Sequence, residues 1–218
     1  MSINVSSLRV NEIFKSIQGE STYAGIPCVF VRLTGCNLRC SYCDTTYAYE
    51  EGNDMSVNKI IKKIAGYGCK NVCITGGEPL MQKNVYKLIT LLKKERCKIF
   101  VETNGSLNIS LLPKYVIRIM DVKCPDSGMN VEMDWRNLER LRRNDDIKFI
   151  MSSKKDFEWA KRIIKKHNLP DKTNVLFGSA YGKLKPKSLA RWILKDKLNV
   201  RLQLQLHKYI WPEKSGGV

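Results

Sequence analysis

Three cysteines, Cys36, Cys40 and Cys43, stand within eight residues and are followed at once by Asp44 and Thr45. Thiolates at this spacing curl around one face of a metal centre, the arrangement that iron–sulfur clusters and zinc sites both use. A closed zinc site or an electron-transfer cluster needs a fourth ligand, and no Cys or His stands nearby in the sequence. The spacing therefore predicts a metal centre with three protein ligands and one open position.

The alternative at this point is a zinc site that a distant cysteine such as Cys124 completes. The chain has eight cysteines, and for a protein expected in the cytoplasm this number favours metal or redox use over disulfides, because cytosolic thiols are kept reduced. The other five stand among apolar neighbours, and we expect them to be small core residues. These are Cys28, Cys69, Cys73, Cys97 and Cys124.

The formal net charge is +17, and its excess lies away from the cysteines, since residues 148–197 hold fourteen Lys and Arg but four Asp and Glu. A basic face of this kind can track a phosphate backbone, but Lys-rich helical surfaces are more often only solvated. An anionic small substrate suits the charge equally well. Nucleic-acid binding is therefore not the favoured hypothesis.

No apolar run approaches the length that is needed to cross a bilayer. Residues 1–10 also lack the charged and then apolar pattern of a signal peptide. We therefore expect a cytoplasmic protein without a membrane-bound part.

The cysteine loop follows a buried apolar strand at residues 28–33, and further short apolar strands alternate with helical segments along the chain. This alternation predicts a parallel sheet with crossovers. About six strands are too few for a closed eight-stranded barrel, so we expect an α/β fold with an open, partial β/α barrel and abbreviated helices. An alternating strand at residues 200–206 is predicted to end it.

Polar or Gly-bearing segments follow several of these strands, and ligands gather at the carboxyl ends of strands in such folds. These segments are the cysteine loop, residues 76–79 (Gly-Gly-Glu-Pro), residues 102–105 and residues 121–125. Four such ends on one rim predict an active site there.

The cysteine triplet, with an aromatic residue before its last member, and the Gly-Gly-Glu-Pro segment resemble the radical S-adenosylmethionine (SAM) superfamily. In that superfamily three thiolates hold a 4Fe-4S cluster whose fourth iron is chelated by SAM. The reduced cluster splits SAM to produce a radical that abstracts a substrate hydrogen. The resemblance implies that SAM occupies the open position.

Within the superfamily, the sequence resembles the 7-carboxy-7-deazaguanine synthases almost end to end, most strongly over residues 11–47 and 72–80. The segments that carry this resemblance are Glu12-Ile13-Phe14, Ile17-Gln18-Gly19-Glu20, Phe30 to Leu38, Cys43-Asp44-Thr45 and Gln205-Leu206-His207-Lys208. It implies a lyase that converts 6-carboxy-5,6,7,8-tetrahydropterin to 7-carboxy-7-deazaguanine with loss of ammonia, on the route to queuosine and other 7-deazapurines. It also implies a requirement for Mg²⁺.

The resemblance assigns roles to individual positions. Cys36, Cys40 and Cys43 hold the cluster, and Thr45 ligates Mg²⁺, for which a hydroxyl is a suitable hard donor. The residues assigned to the substrate are Ile17, Gln18, Gly19, Glu20, Arg32, Thr75 and His207. The residues assigned to SAM are Gly77, Glu78, Asp121, Val122 and Lys123, although many members carry Ser-Pro-Lys at the last three positions.

Some of these roles have structural alternatives. The Arg32 guanidinium either binds the substrate carboxylate through two N–H groups or has a structural role in which it donates hydrogen bonds to backbone carbonyls. The alternative for Glu78 is a residue that only organises its turn, and the alternative for His207 is an interior polar residue of a strand. The roles of Glu102 and Asn104 stay open.

We expect one radical SAM domain over residues 1–218. Residues 8–27 are predicted to form an N-terminal extension or hairpin that contributes to the substrate site, residues 28–206 the partial barrel, and residues 207–218 a C-terminal tail. The resemblance further implies a homodimer and an electron donor of the flavodoxin or ferredoxin type.

Two other functions are alternative hypotheses. A glycyl-radical-enzyme activase is another radical SAM enzyme of similar size, but it acts on a partner protein and needs neither a pterin site nor a magnesium site. A zinc-dependent nucleic-acid-binding module is supported only by the net charge and the cysteines. The colour of the anaerobically purified protein, brown for an iron–sulfur protein, discriminates the module from both enzymes.

Overall fold

The computed structural model describes residues 6–213, 216 and 217. Its centre is one nine-stranded sheet with the order β3-β1-β2-β4-β5-β6-β7-β8-β9. The strands are β1 (Ser7–Ile17), β2 (Pro27–Leu33), β3 (Asn53–Ser56), β4 (Asn71–Gly76), β5 (Lys98–Thr103), β6 (Val116–Lys123), β7 (Asp146–Met151), β8 (Asn174–Ser179) and β9 (Arg201–Gln203). The helices are α1 (Val57–Gly66), α2 (Val85–Lys94), α3 (Asn137–Arg140), α4 (Lys154–Lys166), α5 (Leu169–Lys172), α6 (Pro186–Lys195) and α7 (Leu206–Ile210).

The predicted open barrel is confirmed. Strands β2 and β4 to β9 are parallel neighbours, and β1 pairs antiparallel with both β2 and β3. Within the described residues β3 and β9 are the two ends of the sheet, so the barrel is not closed. Seven strands are parallel where about six were expected, and the last of them, β9, is short. Strand β3 was not predicted, because its polar sequence forms a strand only by pairing with β1.

The C-terminal segment differs from the prediction of a strand over residues 200–206. Strand β9 ends at Gln203, and the chain turns into the short helix α7 at Leu206. His207 therefore lies on a helix rather than on a strand, and the first residues of the predicted 207–218 tail are helical. Residues 214, 215 and 218 of that tail lie outside the described part of the chain.

Helix α1 shows why local sequence is sufficient for some elements. The Ser56 hydroxyl accepts a hydrogen bond from the Lys59 amide at 3.3 Å, which caps the start of the helix, as expected for a serine directly before a helical apolar pattern. Ile60 and Ile64, four residues apart, are buried against the sheet because they share one helix face. No helix in residues 6–213 is both long and apolar enough to cross a membrane.

Two hydrophobic cores occupy the two faces of the sheet. The outer core is mainly aliphatic and lies between the strands and the helices. The inner core fills the barrel and consists of Phe14, Cys28, Phe30, Cys73, Phe100 and Ile119. Phe30, Cys73 and Phe100 are paired in register on β2, β4 and β5, so they form one layer of the interior.

The inward-facing residues one step further along these strands are polar. Arg32 follows Phe30, Thr75 follows Cys73, Glu102 follows Phe100 and Asp121 follows Ile119, each two residues later. Because side chains alternate between the two faces of a strand, all four face the inside above the apolar layer. The barrel interior thus changes from apolar to polar toward the carboxyl ends of its strands.

At the opposite end, a buried ion pair joins β6 to the start of β7. The Arg118 guanidinium donates to the Asp145 carboxylate, which also accepts from the backbone amides of Arg118 and Arg142. The side chains of this pair are 3% and 2% exposed. Breaking such a pair leaves a buried charge without a partner.

Arg118→Met is therefore expected to lower the free energy of unfolding by about 3–5 kcal/mol, because the Asp145 carboxylate stays buried. The measurement is urea unfolding followed by circular dichroism. Arg136→Met is the control, since Arg136 pairs with Asp134 at the surface with 77% of its side chain exposed. That control should leave the midpoint almost unchanged. Similar effects of the two substitutions would contradict the assignment.

Candidate active site

A cavity of about 420 Å³ opens at the carboxyl ends of the parallel strands. This volume is within the usual range for small-molecule sites. Its walls include the cysteine loop, the ends of β4, β5, β6 and β7, the residues after β1 and the start of α7. The four strand ends predicted to form one rim therefore do meet around one space.

Cys36, Cys40 and Cys43 are partly exposed and all line this cavity. The Leu38 amide donates to Cys36 Sγ at 3.4 Å, and Asn104 Nδ2 donates to the same sulfur at 3.7 Å. Hydrogen bonds of this kind stabilise negative charge on a metal-bound thiolate. In the described part of the chain no three His, Cys, Asp or Glu side chains converge closely enough to hold a single metal ion.

Cys124, the residue that a zinc site would have used as a fourth ligand, is 0% exposed and belongs to the outer core. It does not line the cavity. The structure therefore does not support a zinc site that joins Cys124 to the cysteine loop.

The cysteine loop is seated on the turn that follows β4. The Gly77 amide donates to the Leu33 carbonyl at 3.1 Å, and the Glu78 amide donates to the Gly35 carbonyl at 2.7 Å. A Cβ at position 77 would lie 1.9 Å from the Gly35 oxygen and 2.9 Å from Cys36 Cβ. Glycine is thus required at position 77 because the cysteine loop packs directly against it.

Glu78 is fully buried beneath this turn. Its carboxylate accepts from the Asn104 amide at 2.6 Å, the Leu80 amide at 3.0 Å and the Thr103 hydroxyl at 3.0 Å. Burial raises the pKa of Glu78 to about 7, although these hydrogen bonds lower it. The side chain does not line the cavity, so the predicted contact with SAM at this position is limited to the backbone, while the carboxylate organises the turn and ties β4 to β5.

The end of β6 contributes two of its three predicted residues to the cavity. Lys123 Nζ donates to Asp121 Oδ2 at 2.9 Å, and both side chains line the cavity. Asp121 Oδ1 is buried and has no hydrogen-bond partner among the described residues. The Val122 side chain is 0% exposed in the outer core, so a ligand contact at this position is limited to its backbone.

Ile17, Gln18, Gly19 and Glu20 follow β1 and all line the cavity. Gln18 is 1% exposed, and its Oε1 accepts from the Glu20 amide at 3.2 Å. Its Nε2 is buried without a partner in the described part of the chain. An unpaired buried donor is costly, which makes this amide a candidate to bind a ligand acceptor.

Glu20 is held from two sides. Its carboxylate accepts from Lys148 Nζ and, at 2.8 Å, from Gln205 Nε2. Burial alone would raise the pKa of Glu20, but the Lys148 ammonium and the two hydrogen bonds bring it down to about 2. Glu20 is therefore an anion at neutral pH.

His207 packs against the same segment. A Cβ at Gly19 would lie 2.4 Å from His207 Nδ1, and the Leu206 amide donates to the Gly19 carbonyl at 3.0 Å. Burial lowers the pKa of His207 below its usual value, against the opposing effect of Glu20. A neutral imidazole thus lines the cavity beside an ionised carboxylate.

Arg32 on β2 and Thr75 on β4 also line the cavity. Arg32 Nε donates to Glu12 Oε1 at 2.7 Å, and its guanidinium lies over the Tyr47 ring at 5.8 Å from the centroid. Thr75 Oγ1 donates to Glu102 Oε2 at 2.7 Å. All except Glu12 line the cavity, including Glu102, whose role was left open.

Thr45 lies at the rim beside the last cysteine. Its hydroxyl donates to Asp44 Oδ1 at 2.9 Å, and both side chains line the cavity. Two oxygen-bearing side chains are therefore available at this point for a hard cation.

Lys148 is the main cavity residue that the sequence did not single out. It lies within β7, a strand of otherwise buried and largely apolar residues, where a lysine at an inward position is unusual. A lysine in such a strand was a sequence signal that could have indicated a functional residue. Glu12 and Gln205 lie in segments that carry the family resemblance, but their contacts with Arg32 and Glu20 join distant parts of the chain and could not be read from the sequence.

The family model described as "Radical SAM superfamily" matches residues 30–179. A 7-carboxy-7-deazaguanine synthase of Chlorobaculum tepidum is 41% identical over 97% of this chain and 97% of its own length. Another of that name, from Clostridium acetobutylicum, is 40% identical over 96% of this chain and 99% of its own length. The chain belongs to the 7-carboxy-7-deazaguanine synthase family. This confirms both levels of the resemblance seen in the sequence.

The solved structures agree on the fold. The chain resembles the structure titled "Crystal structure of QueE from Escherichia coli" with a TM-score of 0.75, covering 90% of this chain and 92% of that one. The two sequences are 22% identical, so this likeness supports the partial barrel and not a specific chemistry.

As a member of the radical SAM superfamily, this protein uses a 4Fe-4S cluster and SAM. The donor set suits both groups. Three partly exposed thiols and two N–H donors to sulfur surround one end of the cavity. The unpaired Asp121 Oδ1 offers a buried acceptor for a hydroxyl group, and Asp121 lines the same cavity.

Gly77→Ala is expected to displace the cysteine loop, because its Cβ would overlap the Gly35 carbonyl. We expect a loss of about 1–3 kcal/mol in unfolding free energy and less iron bound per chain after anaerobic reconstitution. Iron analysis and visible absorbance measure the second effect.

Gly66→Ala is the matched control, since a Cβ there meets nothing within 4 Å. This variant should bind iron as the unmodified protein does. Equal iron content in the two variants would show that the close approach at Gly77 does not seat the loop.

Proposed function

We propose that this chain converts 6-carboxy-5,6,7,8-tetrahydropterin to 7-carboxy-7-deazaguanine with loss of ammonia. The names and near full-length match of its relatives support this function. The observation that carries it is one cavity in which the three cysteines face a buried wall with an unpaired amide donor and an ionised carboxylate. A flat ring with several donors and acceptors needs such a wall, since unmatched groups lose binding energy.

The residues after β1 are proposed to recognise the pterin ring by hydrogen bonds. Gln18 Nε2 donates to the ring carbonyl, and the Glu20 carboxylate accepts from the amino and ring N–H groups of the same edge. Charge-assisted hydrogen bonds of this kind are stronger than neutral ones. The neutral imidazole of His207 is proposed to accept a hydrogen bond from the ring beside them.

Arg32 and Thr45 are proposed to bind the substrate carboxylate, Arg32 directly and Thr45 through Mg²⁺. In the described residues only Nε of the Arg32 guanidinium donates a hydrogen bond, to Glu12, so its two Nη groups remain available. Glu12 thus fixes the plane of the guanidinium and does not block it. Thr75, held by Glu102, is proposed to contact the substrate on the same side.

When bound, the cluster and SAM supply the electron and the radical chemistry that removes a hydrogen atom from the substrate. Cys36, Cys40 and Cys43 are proposed to hold the cluster. Gly77 is proposed to offer its backbone to SAM, and Asp121 to accept from a ribose hydroxyl through Oδ1. Lys123 neutralises the other oxygen of that carboxylate and keeps it in place.

We further propose that residues 1–218 act as one cytoplasmic domain, with residues 8–27 contributing to the substrate site. The contacts of Gln18 to Glu20 with the cavity support that contribution. A homodimer and a flavodoxin or ferredoxin as electron donor are proposed on the family resemblance alone. The activase alternative is not favoured, because the relatives carry another name and the cavity has a polar wall suited to a small ring.

The deciding experiment is anaerobic turnover of 6-carboxytetrahydropterin by the reconstituted protein with SAM, reductant and Mg²⁺. Formation of 7-carboxy-7-deazaguanine, identified by its absorbance and mass, is the expected result. SAM cleavage without this product would overturn the substrate assignment while leaving the superfamily intact. A colourless protein that contains zinc would instead favour a zinc-dependent module.

Thr45→Val removes the hydroxyl with little change of shape. If Thr45 ligates Mg²⁺, the Mg²⁺ concentration for half-maximal turnover should rise by about tenfold or more. Thr46→Val is the matched control, since Thr46 is the exposed neighbour and does not line the cavity. An unchanged Mg²⁺ requirement in Thr45→Val would remove this residue from the metal site.

A further inference from the structure

Four charged side chains alternate in sign across the cavity wall. Lys148 Nζ is paired with Glu20 Oε2 and lies 3.7 Å from Asp121 Oδ2, which accepts from Lys123 Nζ at 2.9 Å. The Lys148 side chain is 10% exposed and faces the cavity from β7. It is thus shared between a carboxylate on the proposed substrate side and one on the proposed SAM side.

Strand β7 holds the segment after β1 at a second point as well. Asp146, two residues before Lys148 on the same face, accepts from the Thr22 amide at 2.7 Å and from the Thr22 hydroxyl at 3.0 Å. Residues 18–22 are therefore attached to β7 by two side chains. The Thr22 contact fixes the path of the backbone, whereas the Lys148 contact acts on the carboxylate that faces the cavity.

We propose that Lys148 is a positioning and specificity residue for the pterin. Its ammonium holds Glu20 ionised and directed at the donor edge of a 2-amino-4-oxopyrimidine ring. This inference rests on the proposed function. It adds a residue to which the family resemblance gives no role.

The physical reason is the burial of the Glu20 carboxylate. Without the ammonium, Glu20 would be a buried carboxylate near Asp121, which is paired with Lys123, and beside His207, which burial keeps neutral. Like charges in a desolvated site favour protonation of one carboxylate. A protonated Glu20 would present an O–H group to ring N–H donors, and the match would be lost.

The sign of the pH effect follows from this. With Lys148 present, the pKa of Glu20 is about 2, so this group stays ionised between pH 6 and 9. Removing the ammonium raises that pKa, so pterin affinity should fall as the pH is lowered. Because His207 and Glu20 affect each other's pKa, the new pH dependence is assigned to Glu20 by its absence in the variant that also carries Glu20→Gln.

The test is anaerobic titration calorimetry of the cluster-reconstituted protein without reductant, so that no turnover occurs. One series adds 6-carboxytetrahydropterin in the presence of SAM, and another adds SAM alone, both between pH 6 and 9. For Lys148→Met we expect pterin affinity to drop by about tenfold or more at pH 6.5 and by less at pH 8.5. SAM affinity should change by less than about threefold, because Lys123 still pairs with Asp121.

Three further proteins make the result specific. Lys148→Arg keeps the charge and should retain most of the pterin affinity. The double variant Glu20→Gln/Lys148→Met removes both charges and should bind weakly but without the new pH dependence. Lys155→Met is the control, because Lys155 is a surface lysine on α4 with 76% of its side chain exposed.

Several results would overturn the inference. These are unchanged pterin affinity in Lys148→Met, an equal loss of SAM and pterin affinity, or a loss in Lys148→Arg as large as in Lys148→Met. Should Lys148→Met fail to fold, Lys148→Gln gives the same comparison with a polar replacement. An unmodified protein that binds SAM but no pterin would instead refute the proposed function.

Discussion

The structure depends on the contact between the cysteine loop and the turn after β4. The Gly35 carbonyl accepts from the Glu78 amide, and Gly77 lies so close to Gly35 that no side chain can stand there. Beneath them the buried Glu78 carboxylate accepts from the end of β5. One close backbone approach and one buried carboxylate thus fix three strand ends relative to each other. The positions of the three thiols follow from that arrangement.

The second constraint is the change of polarity inside the barrel. A layer of apolar side chains, including Phe30 and Phe100, fills the interior, and the next inward layer is polar. Buried polar groups are tolerated only when they are paired, and here most of them pair with each other. Three buried side-chain atoms among the described residues have no hydrogen-bond partner, namely Ser16 Oγ, Gln18 Nε2 and Asp121 Oδ1, and the last two belong to residues that line the cavity. The interior is therefore organised for groups that the protein itself does not supply.

The sequence was sufficient to predict the features that depend on neighbouring residues. The cap at Ser56, the apolar parallel strands and the grouping of polar segments at their carboxyl ends all follow from residue patterns. It was insufficient for the features that depend on contacts between distant parts of the chain. Strand β3 exists only through pairing with β1, and the inward direction of Lys148 needs the register of β7. Glu78 matched a motif, yet only the structure shows that its carboxylate points into the protein and not into the cavity.

Two segments outside the parallel strands complete the wall of the open barrel. Because β3 and β9 are not joined in the described sheet, the cavity wall must be completed by segments outside it. The residues after β1 enter the interior and attach to β7, where Asp146 and Lys148 receive Thr22 and Glu20. The start of α7 then packs on that segment through the Leu206 amide and the Gln205 side chain. An early and a late part of the sequence therefore share one wall of the cavity. Since neither part belongs to the parallel strands, that wall is held by side-chain and backbone contacts with β7 and α7 rather than by strand pairing in the sheet that positions the cysteine loop.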